Sequence, residues 1–195
     1  KPLNIRQKLA SAKNTQLKYK KTCKDKDGKE WSLGDPQATR ALVALMDMYA
    51  VLGGAASHYG GPAAFAELMS ATHAVMFDSS KTKNAEWFDL FNFVNDAGHC
   101  ENGLYALKAN YGFADLTLED LKKFRSINSV LTGHGESHLF PEAVMLSNGP
   151  LGSAISQAQG LALADALCGK DRTTITAISD GACMEGEAKE ALAAI

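Results

Sequence analysis

Apolar residues return every three or four positions over much of this chain, and glycines fall where that rhythm breaks. Behind the turn Gly34-Asp35-Pro36, the residues Ala41, Leu42, Leu45, Met46, Tyr49 and Leu52 recur at helical spacing until Gly53 and Gly54 close the run. A second helix is predicted from Pro62, carrying Phe65, Leu68, Met69 and Val75, and the polar stretch DSSKTKNAE (78–86) reads as a surface loop. The apolar run WFDLFNFV (87–94) and the following NDAGHCENGLYALKANYG read as a strand, a glycine turn and a helix. In LTLEDLKKFR, Thr117 is an N-cap, Asp120 sits in the first turn, and Lys122, Lys123 and Arg125 come toward the end. SNGPLGSAISQAQGLALADALCGK is a glycine-rich turn entering a helix of small residues closed by Gly169, and TTITAIS is a strand. Helices alternating with short apolar strands predict an α/β fold, a mainly parallel sheet flanked by helices. The last helical pattern reaches Ile195 with neither cap nor glycine, so the chain is expected to be incomplete at its C-terminus.

Composition sharpens this picture. With 195 residues, 46% of them apolar, the chain can bury a sizeable core. No apolar run approaches the roughly 20 residues of a membrane span, and the N-terminus lacks the apolar stretch of a signal peptide, so a cytoplasmic protein with no membrane partner is expected. Cys23, Cys100, Cys168 and Cys183 are scattered without a CxxC pair, which supports neither a disulfide framework nor structural zinc. The net charge of -2 conceals about +7 in residues 1–30 and about -9 beyond them. That arm could lie on acidic protein surface. No aromatic platform accompanies its lysines, so nucleic acid is not expected as a partner. Leu3, Ile5, Leu9 and Leu17 at partly helical spacing suggest a solvated amphipathic lead-in, giving a basic segment over 1–35 and a domain over 36–195.

Candidate chemistry gathers where glycines flank histidines or acids. His58 (SHYGG), His99 (DAGHCENG) and His134 (TGHGES) share that context, in which the backbone can approach a ligand and imidazole can donate to oxygen or carry a proton. Taken singly, each is as well explained by capping or surface exposure; His73 and His138 lack the pattern. No HxxxH or HExxH spacing supports zinc. GPLGSA at Gly149 to Ala154 is a turn before a helix. Asp180 ends a buried strand, where it either caps the next helix or offers a hard oxygen to a divalent ion such as Mg²⁺. Glu185 and Glu190 read by default as helix-surface carboxylates.

Five segments in order then resemble the N-terminal, diphosphate-binding domain of the transketolase family of thiamine diphosphate enzymes. SHYGGPAA is similar to SGHPG-x-P, NDAGHCENGLYAL to the SNGH segment, and TLEDLKKFRSINSVLTGHGE to LxxFRQ…TPGHPE. SNGPLGSAISQAQGLALA resembles TTGPLGQGIxxAVGMALA, and SDGACMEGEAKEA the GDGxxxEGxxxEA stretch that begins the thiamine diphosphate motif. The resemblance implies a PP-type thiamine diphosphate fold, with Asp180 on Mg²⁺ (or Ca²⁺) and Gly181 and His99 on the diphosphate. Gly149 and Leu151 would line the cofactor rings, His58 and His134 would face a sugar phosphate substrate, and Glu185 and Glu190 would couple two sites across a homodimer. It further implies an Asn ligand beyond Ile195 and a pyrimidine-binding domain from the rest of the chain or a partner subunit. The implied reaction transfers a two-carbon ketol unit. A homodimeric pyruvate dehydrogenase-type component and a non-catalytic cofactor-binding or regulatory module remain alternatives. Ser179 stands for the first Gly of GDG, Ala154 for a Gly of GPLGQG, Gly135 for Pro after GH, and DAGH for SNGH, which marks a divergent member.

Overall fold

The computed structural model describes residues 8–194. Two strands, β1 (Lys20–Lys24) and β2 (Glu30–Gly34), form an antiparallel hairpin, and β3 (Phe91–Asn95) pairs in parallel with β4 (Thr173–Ala177). The helices are α1 (Pro36–Leu52), α2 (Gly60–Lys83), α3 (Trp87–Leu90), α4 (Glu101–Asn110), α5 (Leu118–Leu121), α6 (Ser153–Leu167) and α7 (Gly186–Ala193). Among the described residues no helix is long and apolar enough to cross a membrane.

Parallel pairing requires a long crossover between partners. Here α4, α5 and α6 lie in the crossover, and α6 returns to pack on both β3 and β4 while α7 packs on α6. On the other side α1, α2 and α4 pack mutually around Met46, Met76, Tyr105 and Leu107, each at most 1% exposed. Phe77 stacks on Phe113 with ring centroids 5.3 Å apart and meets Tyr111 edge-on at 5.0 Å. Every residue of α4 is buried, so the helix behind DAGH is the centre of the core rather than an amphipathic surface element.

The basic segment differs from the solvated helical lead-in. Leu3 and Ile5 lie outside the described residues. Leu9 and Ala12 are buried in the core, the Trp87 indole donates to Ala10 O at 2.9 Å, and Lys81 Nζ donates to Thr15 O at 2.6 Å. The Gln16 and Lys18 amides donate to Tyr111 and Asn110 carbonyls, which pins an extended chain across the end of α4. The hairpin follows. At its turn Asp25 Oδ1 accepts from the Asp27 and Lys29 amides, and Gly28 adopts a φ of 82°. Lys13 and Lys29 pair with Glu86 and Asp78, so part of the arm's charge is met by acids of the body.

Two other expectations change. The polar stretch 78–86 is helical as far as Lys83, because Ser80 turns inward and Asn84 closes α2 in the left-handed conformation. The apolar run 87–94 is a helical turn before it is a strand. Thr117 does cap α5, in a reciprocal capping box with Asp120, but the helix lasts one turn; Arg125, expected near its end, has a φ of 62° outside it.

Candidate functional site

Because β3 and β4 are parallel, their carboxyl ends lie side by side, with Asn95 opposite Ala177 and the Asp96 amide donating to Ala177 O at 2.8 Å. The two glycine turns that follow, Gly98-His99 and Asp180-Gly181, therefore leave the same edge. This is where open α/β sheets place ligands.

The GPLGSA turn is held against that edge by a residue the sequence reading passed over. Asp96, buried at 1% exposure, accepts from the Gly152 amide at 3.0 Å and the Ala154 amide at 2.9 Å. It thus caps α6, whose own N-cap Gly152 has no side chain to do so. A signal was present: Asp96 follows its strand as Asp180 follows β4. Gly149 and Gly152 have φ values of 143° and 88°, which only glycine adopts readily. A Cβ on Gly152 would lie 2.6 Å from Glu185 Cβ, so the start of α6 touches the segment after Asp180. Leu151, between Gly149 and Gly152, is exposed.

The three histidines converge. The His58 and His99 rings lie 5.2 Å apart at an interplanar angle of 62°, and His134 lies over Gly98, where a Cβ would come within 2.6 Å of its ring. His58 and His134 are exposed and His99 is half-buried. Partial burial, then the neighbouring His58 and His134, lower the His99 pKa from its ordinary value, against an opposing pull from Asp96. The shift favours the neutral imidazole, which has one N–H to donate. His73 is a core residue with Nδ1 2.9 Å from Met69 O, and burial pushes its pKa down to about 3. His138 is exposed, 3.6 Å from Glu136.

Asp180 is exposed, and the capping role open to it belongs to its neighbour: the Ala182 amide donates to Ser179 Oγ at 3.2 Å. Its own carboxylate makes no hydrogen bond or ion pair with the described residues. The Ser179 departure from GDG thus supplies a local cap and leaves a free hard oxygen ligand at the edge. Beside it Gly181 faces open space. Among the described residues no three His, Cys, Asp or Glu side chains are grouped to hold a metal, so Asp180 would contribute a single carboxylate. An octahedral ion held there would need its remaining oxygens from elsewhere. Glu185 and Glu190 are both exposed, Glu185 against Gly152 and Glu190 on α7.

Fold and edge together define an α/β domain with an acid, an imidazole and glycine turns gathered at one strand edge. Residues 37–194 match the family described as transketolase, thiamine diphosphate binding domain, and the chain belongs to that family. It is 36% identical over 160 residues to a transketolase of Scheffersomyces stipitis, covering 76% of this chain and 23% of that protein. A transketolase of Aquifex aeolicus is 40% identical over 119 residues, covering 56% of this chain and 17% of that one. Among solved structures, a Pichia stipitis transketolase in complex with sedoheptulose-7-phosphate superimposes with a TM-score of 0.64 at 31% identity, covering 80% of this chain and 24% of the other. The chain spans about a quarter of the length of the relatives it matches.

Proposed function

We propose that this chain supplies the diphosphate-binding half of a thiamine diphosphate- and Mg²⁺-dependent active site that transfers a two-carbon ketol unit between sugar phosphates in the cytoplasm. The observation that carries the reading is the free Asp180 carboxylate, released from capping by Ser179 and set on the same strand edge as His99. Asp180 would hold Mg²⁺ or Ca²⁺ with one oxygen, and the Gly181 backbone and His99 would meet the diphosphate. Gly149 and Leu151 would present backbone groups to the rings. When bound, the cofactor supplies a nucleophilic carbon and an electron sink for a carbonyl substrate. His58 and His134, exposed on either side of His99, would orient substrate hydroxyls and move a proton. Glu185 and Glu190, exposed in this chain, would face the second subunit of a homodimer and couple the two sites. A pyrimidine-binding half, on the same chain or a partner, would close the pocket.

The reading is tested in the protein assembled with that half. Transfer between a ketose phosphate and an aldose phosphate is expected, and His134→Ala should lower turnover by about 10²-fold while cofactor affinity changes little. Decarboxylation of pyruvate without ketol transfer would instead assign the pyruvate dehydrogenase-type reaction. Metal-dependent cofactor binding with neither activity would assign a binding module.

A further inference from the structure

The turns bearing His99, His134 and Gly149 come from distant parts of the chain, yet one pair of side chains touches all three. Glu101, the first residue of α4, is 2% exposed, and its Oε2 accepts from Asn95 Nδ2 at 2.8 Å and from Asn148 Nδ2 at 3.0 Å. Asn148 in turn accepts the Gly135 backbone amide at Oδ1, 2.8 Å away, and its backbone N–H donates to Gly135 O at 3.0 Å. Residue 148 thus clasps the chain directly after His134 and directly before Gly149. A Cβ on Gly98 would lie 2.6 Å from Asn148 Oδ1, and one on Gly135 would meet Glu101 Cδ at 3.1 Å.

We propose that Glu101 and Asn148 form a positioning pair that sets the His134 and Gly149 turns against His99, so that the site is preorganised before any ligand arrives. Neither residue touches the reacting groups; both act through the backbone they hold. Glu101 shares the interior with Lys108, two turns further along α4, which donates to Ala143 O at 2.6 Å. Apolar side chains would fill such an interior at lower desolvation cost. What the polar pair adds is direction, because each of its hydrogen bonds specifies one loop position. The proposal rests on the assignment of His99 and His134 to the ligand site, but its test reads loop geometry rather than activity. Its failure would therefore leave that assignment standing.

In the intact protein, Asn148→Ala is expected to speed hydrogen exchange of the Gly135 amide about tenfold, the loss of one buried hydrogen bond. It should also raise the His99 pKa toward its ordinary value, since His134 is one of the groups that depresses it. His73 should stay untitrated, reporting an intact core. Glu101→Gln, which can keep an acceptor oxygen facing both asparagines, should remain close to wild type by both readouts. Unchanged Gly135 exchange and unchanged His99 titration in Asn148→Ala would overturn the proposal. Should that variant lose the core, the isosteric Asn148→Asp decides. It keeps the acceptor for Gly135 but opposes oxygen to Glu101 Oε2, so faster Gly135 exchange supports the pair and unchanged exchange overturns it.

Discussion

Asp180→Ala is expected to weaken metal-dependent binding of thiamine diphosphate by at least about a hundredfold in the assembled protein, since losing even an indirect partner of a metal ligand costs 10–100-fold. The fold should survive. Asp180 is exposed, bonds to nothing among the described residues, and leaves capping of the following turn to Ser179. Calorimetry with Mg²⁺ and cofactor reads the affinity, and thermal unfolding without either reads the stability. Retained affinity would return Asp180 to the solvent. Ser179→Ala makes the complementary control: it removes the cap, worth about 1 kcal/mol, and leaves the Asp180 carboxylate in place.

Gly98→Ala should damage the site through space rather than charge. A methyl group there would lie 2.6 Å from both Asn148 Oδ1 and the His134 ring, and 3.1 Å from the Gly149 amide. Two of those atoms belong to turns already fixed by hydrogen bonds, so the chain must move to admit it. Overpacking of this kind costs about 1–3 kcal/mol, and displacing reacting groups by about 1 Å can cost a hundredfold in rate. Turnover should fall roughly hundredfold, with a lower melting temperature. Gly160→Ala in α6 provides the contrast, because a Cβ there meets nothing within 4 Å and should stabilise the helix by about 0.5–1 kcal/mol. If both variants behave alike, the crowding at Gly98 has no functional weight.

The parts of this site that were legible in the sequence were those written into local chemistry. Glycines beside His58, His99, His134 and Asp180 mark turns at element edges, and the structure brings the three histidines to one place. Thr117 and the GPLGSA turn are likewise read from their own residues. What escaped depends on distant partners. Asp96 caps a helix more than 50 residues away, and Glu101 and Asn148 meet across a similar interval. No window of sequence contains both ends of those bonds. The hairpin was missed for a different reason. All of β1 is exposed, its side chains show no apolar alternation, and the spacing of Leu3, Ile5, Leu9 and Leu17 suggests a helix instead. In α2 the polar residues of 78–86 suggested a loop, but polarity alone does not end a helix whose last turns carry Lys81 and Lys83 at the favourable pole.

Whether the edge of β3 and β4 is the cofactor site is tested most directly by paramagnetic relaxation with Mn²⁺, which accepts the same octahedral oxygen coordination as Mg²⁺. With Mn²⁺ and thiamine diphosphate added to the assembled protein, the amide signals of Gly181 and Cys183 should broaden most. Gly112 lies beyond the far end of α4, roughly 15 Å from the edge by helix length, and should be affected much less. That gradient should vanish in Asp180→Ala. Broadening centred away from Gly181, or a gradient that survives the substitution, would contradict the assignment of this edge to the metal and diphosphate.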